Sequence, residues 1–142
     1  MLSAATIPPI RLLITDRQPA SQEALIGLFR KLGSFEFVGI VPPEEAIRQA
    51  ALRRVNVVLL DVLKPHDSSV RLCQGLCALS PRPTVIALTT FANLVEEQAL
   101  RAAGAADYLL KEVRLEKLVH AIHQIHSREQ STSDRSSSLR QP

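Results

Sequence analysis

The chain has few of the residues on which disulfide-stabilised and cofactor-binding proteins depend. It contains no tryptophan, two cysteines and five glycines among 142 residues. Cys73 and Cys77 are one helical turn apart, a spacing that accommodates a disulfide poorly, so we expect free thiols. A secreted domain stabilised by disulfides is therefore not expected.

Long apolar runs are also missing. No stretch approaches the length of a membrane span, and the N-terminus lacks the charged start and apolar run of a secretory signal. The formal net charge of +3 does not by itself indicate nucleic-acid binding. We therefore expect a cytoplasmic protein that makes no membrane contact.

Motifs for nucleotide or flavin binding are absent from the sequence. Neither a G-x-G-x-x-G nor a P-loop follows the first strand-like run. Five glycines and no tryptophan also provide poorly for a pocket around a stacked cofactor. The sequence thus predicts neither an enzyme nor a cofactor carrier.

Apolar, strand-like runs alternate with helical patterns along the chain. The five runs are residues 10–15, 35–40, 56–60, 84–89 and 107–110. Five β/α repeats predict one α/β domain with a parallel sheet, right-handed crossovers and helices on both faces. The run at 35–40 carries a charge between two phenylalanines, which favours an edge position, whereas the runs at 10–15, 56–60 and 84–89 belong in the centre. This pattern favours the doubly wound strand order 2-1-3-4-5.

The periodic pattern divides the chain into three parts. Residues 1–9 are predicted to be an N-terminal extension, and residues 10–126 form the α/β domain. Residues 127–142 contain six serines and no apolar periodicity, so they are predicted to be a disordered tail or linker. Such a segment indicates either a piece of a longer protein or a single domain with a loose end.

Polar residues stand where four of the predicted strands end. Asp16 follows the first run, Asp61 follows the third, Thr89 closes the fourth and Lys111 follows the fifth. The carboxyl ends of parallel strands meet at one edge of the sheet, so we expect these side chains to converge. A carboxylate there can hold a metal, accept a phosphoryl group or act as a base, and a lysine can stabilise phosphate charge.

Three segments in the same order resemble the receiver domain of two-component response regulators. "NVVLLDVLKP" (56–65) resembles the phosphoacceptor segment, with Asp61 as the acceptor. "VIALTTF" (85–91) resembles the switch strand, with Thr89 as its hydroxyl. "GAADYLLKE" (104–112) resembles the last strand, with Tyr108 as the switch aromatic and Lys111 as the phosphate-binding lysine. The residues of the last two segments are most similar to those of NarL/LuxR-type receivers.

The resemblance implies a flavodoxin-like receiver that signals in a two-component phosphorelay. A histidine kinase would phosphorylate Asp61, and Thr89 and Lys111 would engage the phosphoryl group. Tyr108 would then turn inward, which would alter homodimer formation or release an output domain that regulates transcription. DNA would be bound only through an output domain that is not present here. The receiver itself would have at most slow autophosphatase activity.

The resemblance also implies Mg²⁺, held by Asp16, Asp61 and the backbone carbonyl of Leu63. Receivers normally carry a second acid directly after the first, but "ITDRQP" (14–19) has Arg17 at that position. The predicted metal position therefore loses a carboxylate. Arg17 avoids most of the added charge there if it extends into solvent, and otherwise it binds phosphate oxygens or pairs with Asp61 and occupies the pocket. Two hypotheses remain: a Mg²⁺-dependent phosphoacceptor, and a phosphorylation-independent module for dimerisation or protein interaction.

Overall fold

Five β/α repeats form the described part of the chain. The structure is a computed structural model, which describes residues 7–18, 22–113 and 115–140. The strands are β1 (Ile10–Thr15), β2 (Phe35–Val41), β3 (Val57–Asp61), β4 (Thr84–Thr89) and β5 (Asp107–Leu110). The helices are α1 (Glu23–Lys31), α2 (Pro43–Leu52), α3 (Asp67–Cys77), α4 (Leu94–Ala102) and α5 (Leu115–Arg140). No helix in these ranges is both long and apolar enough to cross a bilayer.

The strands form a single parallel sheet in the order β2-β1-β3-β4-β5. This confirms the predicted fold class and strand order. The largely apolar strands β1, β3 and β4 lie in the centre of the sheet, between its two cores. The predicted edge strand, β2, does lie at an edge.

Successive side chains of each central strand enter two different cores because strand side chains alternate between the faces of a sheet. One core joins strand residues to α2, α3 and α4, and its buried members include Leu13, Val58, Ala50, Leu76 and Leu100. The other core joins the opposite strand face to α1 and α5, through residues such as Leu12, Leu59, Phe29, Leu118 and Ile122. Helices therefore cover both faces, as predicted.

The β2 edge of the sheet is irregular and charged. The pairing register between β1 and β2 shifts after Leu12, so that Leu12 pairs with Phe37 while Leu13 pairs with Gly39. Across this pair of strands, Arg11 and Glu36 form an ion pair of 2.7 Å. The edge strand is thus both bulged and flanked by charged side chains.

The last helix is longer than the sequence predicts. Ile125 is its last buried hydrophobic residue among those described, yet α5 continues to Arg140. The predicted disordered segment from residue 127 is therefore corrected to helix as far as Arg140. Helical backbone hydrogen bonds need no apolar periodicity, which explains why the serine-rich composition misled the sequence analysis. Residues 1–6 of the predicted extension and residues 141–142 lie outside the described residues.

Gly104 occupies a turn between α4 and β5 that a larger residue would strain. Its φ is +115°, and an added Cβ would approach Cys77 Sγ to 2.6 Å and Arg82 Nη2 to 2.8 Å. We expect Gly104→Ala to lower the free energy of unfolding by about 1–3 kcal/mol in a urea titration.

Gly27→Ala is the matched control for this substitution. Gly27 lies within α1, and an added Cβ would meet nothing within 4 Å, so the substitution should stabilise the protein by up to about 1 kcal/mol. Equal effects of the two substitutions would contradict the assignment of strain to Gly104.

Candidate functional site

The parallel register brings the four predicted site residues to the same edge of the sheet. Asp61 is the last residue of β3 and pairs with Leu88 of β4, while Thr89 of β4 pairs with Leu110 of β5. The backbone N–H of Lys111 donates to the Thr89 carbonyl at 2.8 Å. The predicted convergence of strand ends therefore exists at this edge.

Lys111 lies between two carboxylates. Its Nζ is 2.9 Å from Asp61 Oδ1 and 3.7 Å from Asp16 Oδ2. The side chains of Asp61 and Lys111 are 13% and 29% exposed, so this ion pair is partly shielded from water and remains open to a small reactant. The lysine ammonium is thus the counter-charge for both acids.

The surroundings of Asp61 disfavour its ionised form despite this lysine. Its burial raises the pKa of the Asp61 carboxyl above its ordinary value of 3.8, and the nearby Asp16 carboxylate raises that pKa further. The hydrogen bond and charge of Lys111 oppose the shift without cancelling it. Raised pKa values of this kind cluster at functional sites.

Asp16 is held rigidly at the end of β1. It is 3% exposed, and its Oδ1 accepts a hydrogen bond from the Gln18 backbone N–H at 2.8 Å. Its Oδ2 accepts one from Gln22 Nε2 at 2.7 Å. Sequence reasoning missed Gln22, because an isolated glutamine before a helix carries no pattern that points to a buried acid.

Arg17 points away from the two acids. Its guanidinium forms an ion pair with Glu44 in the first turn of α2, and both side chains are more than half exposed. Of the alternatives drawn from the sequence, pairing with Asp61 is thus not the arrangement in this structure. The positive charge lies at the rim and leaves the Asp61–Lys111 pair unobstructed.

A small cleft opens beside Asp61. It has a volume of about 40 Å³, and its lining includes Arg17, Asp61, Leu63 and Ser69. Ser69 Oγ accepts a hydrogen bond from the Leu63 backbone N–H at 2.9 Å, which fixes the loop after β3. Among the described residues, no three His, Cys, Asp or Glu side chains form a cluster suited to a metal ion.

Thr89 and Tyr108 meet at a third acid, Glu96. The Thr89 hydroxyl donates to Glu96 Oε1 at 2.9 Å, and the Tyr108 hydroxyl donates to the same oxygen at 2.6 Å. Tyr108 is only 9% exposed. The aromatic side chain that the resemblance expected to turn inward is therefore already buried.

Sequence reasoning missed Glu96, with which Lys64 forms an ion pair from the loop after β3. A usable signal was present in the sequence. Asn93 and Glu96 have the spacing of a helix capping box, N-x-x-E, and Asn93 Oδ1 does accept the Glu96 backbone N–H at 2.9 Å. That signal indicates where α4 begins, but it does not reveal that the Glu96 carboxylate is buried.

Two curated transcriptional regulatory proteins are similar to this chain. The chain is 27% identical over 119 residues to the transcriptional regulatory protein LnrK of Bacillus subtilis, a match over 83% of this chain and 54% of LnrK. It is 30% identical over 129 residues to the transcriptional regulatory protein PrrA of Mycobacterium tuberculosis, which covers 89% of this chain and 54% of PrrA. The chain thus spans about half the length of these curated relatives.

A solved structure shares the fold. The signal receiver domain of the response regulator NarL from Mycobacterium tuberculosis superposes with a TM-score of 0.77 at 19% identity, over 85% of this chain and 98% of that one. At this identity the likeness concerns the fold. The family model described as the response regulator receiver domain matches residues 12–123. Because that match covers most of the sequence, the chain belongs to the receiver domains of two-component response regulators.

Proposed function

We propose that Asp61 accepts a phosphoryl group from a histidine kinase and that Thr89, Lys111 and Tyr108 respond to it. The contact of 2.9 Å between Lys111 Nζ and Asp61 Oδ1 carries this proposal, because it places a cation where phosphate charge would form. A carboxylate of raised pKa at the mouth of a cleft is a suitable acceptor.

Phosphoryl transfer depends mainly on positioning and on neutralising charge. An Asp61 oxygen would attack the phosphorus atom while the nitrogen of the kinase histidine leaves. Lys111 would then pair with the phosphoryl oxygens, and the Thr89 hydroxyl, at the end of the neighbouring strand, would donate a hydrogen bond to one of them. The receiver would act as a phosphoacceptor with at most slow autophosphatase activity.

The donor chemistry at this edge suits Mg²⁺, which prefers oxygen ligands and often uses only one or two carboxylates. Asp16, Asp61 and the Leu63 backbone carbonyl would hold the ion. When bound, Mg²⁺ supplies positive charge that neutralises the phosphoryl oxygens. Arg17 provides no carboxylate, and the proposed site is therefore weaker than one with a second acid.

The competing hypothesis, a module that works by contact alone, depended on Arg17 disabling the acceptor pocket. The missing second acid still weakens the metal position, but the ion pair between Arg17 and Glu44 keeps the guanidinium from pairing with Asp61, which supports an acceptor that is not blocked. We therefore favour the phosphoacceptor.

Output is proposed to lie outside the receiver. The curated relatives are transcriptional regulators of about twice the matched length, so a DNA-binding output domain of NarL/LuxR type, homodimer formation and a cytoplasmic setting form part of the proposal. In this view residues 10–126 are the receiver, and the part of α5 beyond Ile125 connects it to the output.

Small-molecule phosphoryl donors test the acceptor directly. With acetyl phosphate or phosphoramidate and Mg²⁺, we expect the intact mass of the protein to rise by one phosphoryl group, because Lys111 and the metal stabilise the phosphorylated form. Asp61→Asn should not be labelled, whereas Asp67→Asn, an exposed acid at the start of α3, should be labelled normally. Labelling that persists in Asp61→Asn would falsify the assignment.

Arg17→Asp tests the charge at the metal position. The substitution removes a cation and restores a carboxylate, so we expect the affinity for Mg²⁺ to rise by about tenfold to a hundredfold, measured by calorimetry or amide shifts. Arg17→Gln is the control that removes only the cation, and it should give a smaller gain. An unchanged affinity in Arg17→Asp would show that this position does not face the metal.

The raised pKa of Asp61 predicts a pH-dependent gain in stability for Asp61→Asn. An acid whose pKa is raised on folding destabilises the fold when ionised, so the variant should be more stable than the parent at neutral pH. The gain should shrink as the pH falls through the raised pKa and vanish below 3.8, where both states are protonated. Urea titrations across this pH range measure it, with Glu36→Gln, an exposed acid, as the control that shows no such gain.

A further inference from the structure

The most deeply buried acid of the domain is not one of the family's site residues. Glu96 is 1% exposed although it lies in the first turn of α4. A buried carboxylate is costly unless several donors satisfy it. Its donors come from three different elements: Thr89 at the end of β4, Tyr108 in β5 and Lys64 in the loop after β3.

These donors keep Glu96 ionised. Burial raises the pKa of its carboxyl, but the hydrogen bonds from Lys64, Tyr108 and Thr89 together lower that pKa below its ordinary value. His66 Nδ1 also lies 4.0 Å from Glu96 Oε2. A full negative charge therefore acts on both switch residues at neutral pH.

Tyr108 is built into the cap of α4. In an ordinary capping box the acid side chain accepts directly from the backbone N–H of the cap residue. Here the Asn93 N–H donates to the Tyr108 hydroxyl at 3.1 Å, and that hydroxyl donates to Glu96 Oε1 at 2.6 Å. The phenol thus relays the capping interaction, and its position is tied to the first turn of α4.

Thr89 has only one hydroxyl proton to donate. Its Oγ1 lies 2.9 Å from Glu96 Oε1 and 3.2 Å from the Phe91 carbonyl. A hydrogen bond from Thr89 to a phosphoryl group on Asp61 would require that proton to leave both acceptors. Glu96 and a phosphorylated Asp61 are therefore rivals for the same donor.

We infer that Glu96 is a positioning residue that holds Thr89 and Tyr108 in the resting arrangement and competes with phosphorylated Asp61 for the Thr89 hydroxyl. The competition rests on the proposed phosphoacceptor function, whereas the hold on Tyr108 does not. The stronger Glu96 holds Thr89, the more phosphoryl affinity is needed to switch the domain.

Titration with beryllofluoride and Mg²⁺, a mimic of the phosphoryl group, tests the competition through the amide shifts of Thr89 and Tyr108. Glu96→Gln replaces the charged acceptor by a neutral one, so the mimic should bind about tenfold more tightly, as expected for the loss of a hydrogen bond to a charged group. Glu97→Gln is the matched control, since Glu97 is the next residue of α4 and pairs with Arg101 on the surface. It should bind the mimic like the parent.

Tyr108→Phe provides a second variant that keeps the ring in place. The Thr89 hydroxyl still donates to the Glu96 carboxylate in this variant, so the mimic still has to compete for that donor. Tyr108→Phe should therefore tighten binding of the mimic much less than Glu96→Gln does. An equal gain in Tyr108→Phe, or no gain in Glu96→Gln, overturns the competition.

The hold on Tyr108 has its own readout. Tyr108 is the single tyrosine of a chain without tryptophan, so phenolate absorbance reports it alone. Burial and the Glu96 carboxylate both raise the pKa of Tyr108. In Glu96→Gln that pKa should fall towards 10.0 while remaining above it, and in Glu97→Gln it should not change.

The two readouts separate the two proposals. If neither the parent nor Arg17→Asp binds the mimic, the phosphoacceptor proposal and the competition both fail, and a lowered Tyr108 pKa in Glu96→Gln still supports the hold. If the mimic binds but Glu96→Gln changes neither its affinity nor the Tyr108 titration, the inference about Glu96 is wrong and the proposed function stands.

Discussion

A single ammonium group allows two carboxylates to share one edge of the sheet. Without Lys111, Asp16 and Asp61 would be like charges in a partly buried place, with no cation to offset their repulsion. The lysine is placed by strand register, since its backbone bonds to Thr89 at the end of β4. The position of Lys111 between the two acids therefore depends on β5 pairing with β4.

Glu96 forms a second charged site next to that of Asp16, Asp61 and Lys111, and its charge is compensated in a different way. At the acceptor site one cation serves two anions, whereas at Glu96 one buried anion is satisfied by donors from three elements. Thr89 lies between these two centres, at a strand end that adjoins Asp61 and with its hydroxyl on Glu96. In the proposed switch, the Thr89 hydroxyl would change its acceptor from the Glu96 carboxylate to a phosphoryl group on Asp61.

Much of this architecture is readable from the sequence, because continuous apolar runs end abruptly at polar residues. Asp16, Asp61 and Lys111 lie directly at those ends, and a parallel sheet places the carboxyl ends of its strands at one edge. Glu96 was not predictable in the same way. It is followed by Glu97, and only the folded structure, with Thr89, Tyr108 and Lys64 around Glu96, shows which of the two acids is buried.

The ion-pair partner of Arg17 also could not be derived from the neighbouring sequence. A long side chain with many rotamers can reach several residues that only the fold brings near it. In the structure this partner is Glu44, at the start of α2. The length of α5 was misjudged for a different reason. Apolar spacing indicates the part of a helix that packs on a core and gives no information about helix beyond that part.

The two edge strands of the sheet, β2 and β5, differ in length and regularity, and both features affect how the domain can bind other proteins. An exposed strand edge is a template for adding a foreign strand, which leads to aggregation. The bulge after Leu12 and the Arg11–Glu36 pair make the β2 edge a poor template, and β5 is only four residues long. Association by strand addition is thus disfavoured on both sides, and specific contacts are left to helices and loops.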